Sequence, residues 1–110
     1  MNEYPYQVKE LVAQALDEAK AKHGEHFHSL NEFAGVLQEE LEELEEAVAQ
    51  AQDTFRSRLW RDGVRKDDAE EVGEAAGAIR RVCLGAAYEA FQVLAVIEKF
   101  EGMEDFEGID

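Results

Sequence analysis

The residues best suited to chemistry lie in "EELEELEE", residues 39 to 46, where six glutamates surround two leucines. The leucines belong to an apolar stripe with a helical period. On a helical wheel, four of the glutamates point away from that stripe toward solvent, namely Glu39, Glu42, Glu45 and Glu46. Glu40 falls inside the apolar sector and Glu43 on its rim. A carboxylate buried among apolar side chains is costly, so Glu40 needs a partner.

A partner for Glu40 is available in "LGAAYEAFQVLAVI", residues 84 to 97, where Glu89 and Gln92 interrupt an apolar segment. If the chain folds back near residue 64 or 65, position i faces roughly position 129 − i, so Glu40 faces Glu89. Gln92 then lies one turn further on, toward Leu37. Facing carboxylates repel unless a cation lies between them, and oxygen ligands suit Mg²⁺ or Mn²⁺. The spacing predicts a metal site, although a polar rim paired with Arg80 or Arg81 is the alternative.

The elements that position these residues are predicted to be helices. The chain has one proline, and its long apolar patterns follow a helical period rather than strand alternation. We expect helices over about 5–22, 30–61 and 67–100, with a frayed acidic tail over 101–110. Ser29 with Glu32 forms a capping box, Asp67 with Glu70 a weaker one, and Gly63 is expected to break the second helix.

A chain of 110 residues suits a single domain. The fold class is therefore all-α: a short N-terminal helix and a long antiparallel helical hairpin. The third helix is apolar on nearly every side over 84–97, and such a helix is buried on every side. The short first helix cannot cover it, so we expect a second copy of the hairpin to do so. The result is a homodimer, or a higher homo-oligomer, with a four-helix core.

The charge of the chain restricts its partners. Eleven basic and 26 acidic residues give a formal net charge of −15, which disfavours nucleic acid and anionic membrane surfaces. No apolar run is long enough to span a membrane. With one cysteine and no apolar signal segment near Met1, the sequence predicts a cytoplasmic protein.

Basic residues are concentrated over 56–81, which holds seven of the eleven lysines and arginines of the chain. That group can contact a triphosphate, with Arg80 and Arg81 as the phosphate-binding candidates, or it can balance neighbouring acids. The segment "EEVGE", residues 70 to 74, repeats the acidic spacing but faces Arg56 and Arg58 in the folded-back chain. We expect it to form salt bridges.

The segment "LQEELEELEEAV", followed by Glu89 on a later apolar helix, resembles the MazG-like all-α nucleoside triphosphate pyrophosphohydrolases. The stretch "KHGEHFHSLNEFAGVLQEELEELEEAV", residues 22 to 48, is most similar to the phage and Gram-positive branch. The family pattern is E-E-x-x-E on one helix and E-x-x-D on the next. Glu39, Glu40 and Glu43 match the first half, and Glu89 begins the second. Gln92 stands where the family has aspartate, so one negative charge is missing.

The resemblance implies Mg²⁺-dependent hydrolysis of a nucleoside triphosphate to a nucleoside monophosphate and pyrophosphate. Glu40, Glu43 and Glu89 are then the metal ligands, with Gln92 as a weak or outer ligand, and Glu39 orients the attacking water as a base. Mn²⁺ can replace Mg²⁺ in such a site. The alternative is a helical dimer that has lost catalysis with the aspartate and serves protein interaction.

Overall fold

The computed structural model describes residues 6 to 103, and this part of the chain contains helices and no strand. Helix α1 spans Tyr6–His23, α2 spans Leu30–Thr54, a π-helix spans Phe55–Val64, and α3 spans Ala69–Glu101. The all-α prediction is confirmed. The predicted fraying from residue 104 onward, like residue 5 at the predicted start of the first helix, lies outside the described residues.

Local hydrogen bonds explain where α1 ends and where α2 begins. The N–H of Gly24 donates to the carbonyl of Lys20 at 2.8 Å, and Gly24 has a φ of +89°, which ends α1 in a conformation that favours glycine. The Ser29 hydroxyl accepts a hydrogen bond from the Glu32 N–H at 2.9 Å. The Glu32 carboxylate accepts one from the His28 N–H at 2.6 Å, which lowers the pKa of Glu32. The predicted capping residues of α2 are confirmed.

The second predicted cap is off by one residue. Asp68, not Asp67, caps α3, because Asp68 Oδ1 accepts the N–H of Glu71 at 3.1 Å. Asp67 instead adopts a φ of +54°, in the left-handed region that aspartate tolerates better than most residues.

The prediction that Gly63 breaks the second helix is wrong, because Gly63 lies buried inside the π-helix. Hydrogen bonds join the Arg65 N–H to the Trp60 carbonyl and the Asp68 N–H to the Gly63 carbonyl, each at 2.9 Å. This i→i+5 pattern winds the chain more widely than an α-helix does. A Cβ at position 63 would lie 2.6 Å from Val72 Cγ2, so the missing side chain permits close packing.

The described residues form two compact units, one made of residues up to 41 together with those from 89 onward, and one made of residues 42–88. We call them the terminal unit and the central unit. The core of the terminal unit is built from small residues of α1 and α3: Ala15, Ala19 and Ala95, with Leu16 and Phe91 against them. The Phe33 ring stacks on Phe100 and meets the Phe27 ring edge-on.

Ion pairs near the surface and a close contact at Gly63 connect the segments of the central unit. Arg58 Nε donates to Glu71 Oε2 at 3.1 Å, and Arg58 Nη2 lies 3.9 Å from Glu74. The hydrogen bond to Glu71 raises the pKa of Arg58. The prediction that "EEVGE" forms salt bridges is therefore confirmed for Glu71 and Glu74.

Several large apolar side chains stay exposed in the single chain. Leu41, Val48 and Phe55 recur every seven residues with 46%, 46% and 47% of their surface exposed. On α3, Leu84 and Tyr88 are also exposed. The segment 84–97 thus splits: its second half is buried in the terminal unit, while its first half is uncovered by the chain itself.

Candidate metal centre

Glu40 is the most buried carboxylate among the described residues, with 3% of its surface exposed. It sits in the third turn of α2, a helix that begins at the Ser29 cap. The Glu40 side chain lies on the apolar side of α2, which also carries the half-buried Leu37 and Leu44. The expected inward orientation of Glu40 is confirmed.

Glu89, on α3, is half-buried, and Glu43, one turn beyond Glu40 on α2, is exposed. One carboxylate oxygen from each of Glu40, Glu43 and Glu89 lies within 4.8 Å of the others. We call these three side chains the carboxylate cluster. Its members are the three glutamates that the sequence selected as metal ligands, and their role as ligands stays a prediction.

The spacing of the carboxylate cluster suits one divalent cation. Two oxygens on opposite sides of a Mg²⁺ ion are about 4.2 Å apart, since each Mg–O distance is about 2.1 Å. Only one pair among three octahedral ligands can lie opposite, and neighbouring ligands are about 3.0 Å apart. Oxygens within 4.8 Å of one another would therefore draw closer by up to about 2 Å per pair around one ion, which side-chain rotation can supply. Three oxygen donors without nitrogen or sulfur match the preference of Mg²⁺ and Mn²⁺.

Gln92 is also buried, with 8% of its surface exposed, but its amide has another partner. Gln92 Nε2 donates a hydrogen bond to Glu18 Oε1 of α1 at 2.9 Å. The bond fixes the amide nitrogen toward α1, and it leaves the amide oxygen as the group that can face a cation. Gln92 lies one turn beyond Glu89 on α3, as expected.

Glu18 is a site residue that sequence reasoning missed. It lies on the rim of the α1 apolar stripe, one turn after the buried Ala15, and this position was the available signal. The sequence could not reveal which face of α3 the rim of α1 would meet. Glu18 therefore joins the candidate site by tertiary packing alone.

The remaining predicted residues lie around the carboxylate cluster rather than in it. Glu39 is exposed on α2 beside Glu40, and Arg80 and Arg81 are exposed on α3. The arginines precede Glu89 by at least two helical turns, about 12 Å along the helix axis. Neither arginine belongs to the carboxylate cluster.

Comparisons with protein-family models, with curated proteins and with solved structures found no match to this chain. The resemblance to the MazG-like enzymes therefore rests on the quoted motifs. No helix in the described part of the chain is both long enough and apolar enough to cross a membrane.

Proposed function

We propose that this chain is a Mg²⁺-dependent nucleoside triphosphate pyrophosphohydrolase. One observation carries the proposal: carboxylate oxygens of Glu40, Glu43 and Glu89 lie within 4.8 Å of one another, with Glu40 almost fully buried. Three like charges at this spacing repel strongly in a partly desolvated setting, and a divalent cation relieves that repulsion. The motif resemblance supplies the substrate class.

In this proposal Glu40, Glu43 and Glu89 hold the metal ion, and Mn²⁺ is the expected substitute. When bound, the ion would neutralise charge on the phosphate oxygens and would lower the pKa of a water held at the site. Glu39, exposed beside the cluster, accepts the proton of the water that attacks the α-phosphorus. The bond from that phosphorus to the oxygen bridging the α and β phosphates then breaks, and the products are a nucleoside monophosphate and pyrophosphate.

Two further groups act on the substrate without bond chemistry. Arg80 and Arg81 are exposed on α3, about 12 Å or more along the helix axis from Glu89. An arginine side chain and an extended triphosphate can together span this distance, so the arginines can bind phosphates of a nucleotide whose other phosphates lie at the metal ion. Gln92, oriented by Glu18, offers a neutral amide oxygen on the other side of Glu89. Because this oxygen carries no full charge, we expect one well-held ion rather than two.

We further propose that the helices fold as an antiparallel hairpin and that two or more chains combine their hairpins into a four-helix core. Supporting this assembly, the heptad-spaced Leu41, Val48 and Phe55 and the α3 residues Leu84 and Tyr88 are all exposed in the single chain. Sedimentation is expected to show a dimer or larger species at micromolar concentration. A well-folded monomer would contradict this assembly.

The decisive experiment measures pyrophosphate release from a panel of ribo- and deoxyribonucleoside triphosphates with Mg²⁺. The wild type is expected to hydrolyse at least one of them. Glu89→Ala should lower that activity at least about a hundredfold, because it removes a half-buried metal ligand. Glu45→Ala, an exposed glutamate of the same helix, is the matched control and should leave activity unchanged.

Gln92→Asp tests the departure from the family pattern. It restores one ligand charge, and we expect tighter Mg²⁺ binding and higher activity. The new carboxylate also faces Glu18, so Glu18→Gln in the same chain separates repulsion from metal binding. Full activity in Glu40→Ala would refute the assignment of the site.

The second candidate function is a helical interaction module without catalysis. The Gln92–Glu18 hydrogen bond favours it, because an amide that serves helix packing occupies the place of the family's aspartate. The interaction module would be favoured over the enzyme if neither the wild type nor Gln92→Asp released pyrophosphate from any nucleotide of the panel while Mg²⁺ binding was measurable.

A further inference from the structure

The terminal unit contains a cavity of about 530 Å³ that the proposed function does not use. Its walls come from α1, from the connection between α1 and α2, and from the end of α3. Basic side chains contribute to each of these walls, namely Lys9, Lys20, His26 and Lys99. The lining also holds three glutamates, so with His26 neutral it carries no net charge, in a chain whose formal net charge is −15.

Lys99 is the unusual member of this lining, since 3% of its surface is exposed. Its Nζ lies 4.0 Å from the centroid of the Phe27 ring, whose face attracts a cation. The same nitrogen is buried and has no hydrogen-bond partner among the described residues. An ammonium group has three N–H donors, and an aromatic face does not replace hydrogen-bond acceptors.

The groups around Lys99 offset only part of the cost of burying its ammonium charge. Burial lowers the pKa of Lys99, while the carboxylates of Glu32 and Glu25 act in the opposite direction and the ammonium of Lys20 adds to the lowering. A lysine needed only for packing could be replaced by methionine with less desolvation. Its ammonium group is thus suited to an acceptor that the chain itself does not provide.

The other lining residues limit what that acceptor can be. Glu25, Glu98 and Glu101 share the walls, and Glu25 lies 3.9 Å from the Lys20 ammonium group. These acids disfavour a polyanion. The volume falls within the range of small-molecule sites, and the Leu16 and Met103 side chains add apolar surface.

We propose that this cavity binds a small organic anion, a carboxylate or a phosphate ester, whose oxygens accept hydrogen bonds from the Lys99 ammonium group. The Lys99 ammonium group now lies against the Phe27 ring, so binding requires it to turn toward the cavity about the four rotatable bonds of its side chain. Lys20, half-buried on α1, supplies a second positive charge to the same ligand. This site is independent of the carboxylate cluster and of pyrophosphohydrolase activity.

The test titrates metal-free protein with inorganic phosphate and, separately, with succinate, and follows the Lys99 side-chain resonances by NMR. At least one probe is expected to bind in the millimolar range or tighter and to raise the pKa of Lys99, because a bound anion stabilises the ammonium form. The two probes distinguish a phosphate ligand from a carboxylate ligand.

Lys99→Met keeps the length and apolar contacts of the side chain but removes its charge. Affinity should fall at least about tenfold, since a charge-assisted hydrogen bond is lost. Lys22→Met, an exposed lysine at the end of α1 outside the cavity lining, should bind as the wild type does. Because Lys99→Met also removes a buried charge, its melting temperature without ligand should not fall below that of wild type.

Binding of neither probe at tens of millimolar would overturn the proposal. So would equal affinity of wild type and Lys99→Met. Since these measurements use no metal and no nucleotide, they remain decisive whether or not the chain hydrolyses triphosphates.

Discussion

The terminal and central units differ in the burial of their charged side chains. In the central unit, Arg58 pairs with Glu71 near the surface, and Arg61 and Lys66 both lie within 4.0 Å of Asp62. In the terminal unit, Glu40 and Lys99 are each about 3% exposed. Both units leave some large apolar side chains exposed, and those of the central unit include Phe55, Trp60 and Leu84.

This difference separates two uses of polar residues. Exposed ion pairs in the central unit contribute little to stability, and both partners of each pair lie within this unit. A buried charge, by contrast, opposes folding unless something offsets its desolvation. We therefore expect ligand binding at the buried charges Glu40 and Lys99, and contact with another chain at the exposed apolar side chains of the central unit.

The largest expected effect concerns Glu40. With Mg²⁺ at about 100 times its dissociation constant, the wild type should gain about 2.7 kcal/mol of stability, because the ion binds the folded state alone. Glu40→Gln should abolish this gain, since it removes the buried ligand charge. Thermal unfolding with and without millimolar Mg²⁺ measures both quantities.

The matched control for this measurement is Glu45→Gln, an exposed change on the same helix, which should keep the full response. A melting temperature of the wild type that is indifferent to both Mg²⁺ and Mn²⁺ would remove the basis for the metal site. It would also end the functional contrast between the two units.

Gly63→Ala tests the packing of the central unit. The new Cβ would lie 2.6 Å from Val72 Cγ2 and 3.2 Å from the Arg58 carbonyl, so helix and side chain must shift. We expect a loss of about 1–3 kcal/mol in the free energy of unfolding, as for other overpacked sites. Chemical denaturation measures this loss.

Gly73→Ala is the control, because an added Cβ there meets nothing within 4 Å. Alanine in the interior of α3 should stabilise the chain by about 0.5–1 kcal/mol. Both variants should retain the Mg²⁺ response of the wild type. If Gly63→Ala loses that response, the functions of the two units are not separable as described.

The smallest effect concerns Glu32 at the start of α2. The His28 N–H lowers the pKa of Glu32, so the carboxylate contributes stability above its unfolded pKa. That contribution is lost as the pH falls through the lowered folded value. Glu32→Gln should therefore reduce the melting temperature at neutral pH, and the difference from wild type should shrink in acid.

The Glu32 comparison requires melting curves from neutral pH to below the ordinary glutamate pKa. Glu46→Gln, exposed on the same helix, should show no such convergence. Parallel curves for the wild type and Glu32→Gln at every pH would show that the cap contributes no pH-dependent stability.

Periodicity predicted much of the fold and part of the candidate site. The phase of the α2 stripe placed Glu40 inward, and a carboxylate oxygen of Glu40 lies within 4.8 Å of one from Glu89. The Ser29 and Glu32 pattern fixed the start of α2 because capping depends on neighbours in sequence. These features depend on residues that are close in sequence or share one face of a helix.

Features that depend on tertiary contact were not predictable. The Gln92–Glu18 bond requires the orientation of α1 against α3, which no local pattern encodes. A lysine in the last turn of a helix is normally solvated and interacts favourably with the helix dipole, so the burial of Lys99 also went unpredicted. In both cases a polar group is placed by packing of its neighbours.

The π-helix at Phe55–Val64 changes the angular phase of every residue that follows Thr54. Each widened turn takes up an additional residue, so the seven-residue repeat through Leu41, Val48 and Phe55 cannot continue in register. Leu59 and Trp60, which follow the repeat in sequence, need not follow it in space. The same widened turns give this part of the chain a means to absorb the insertion or deletion of a single residue by rewinding, without a new loop.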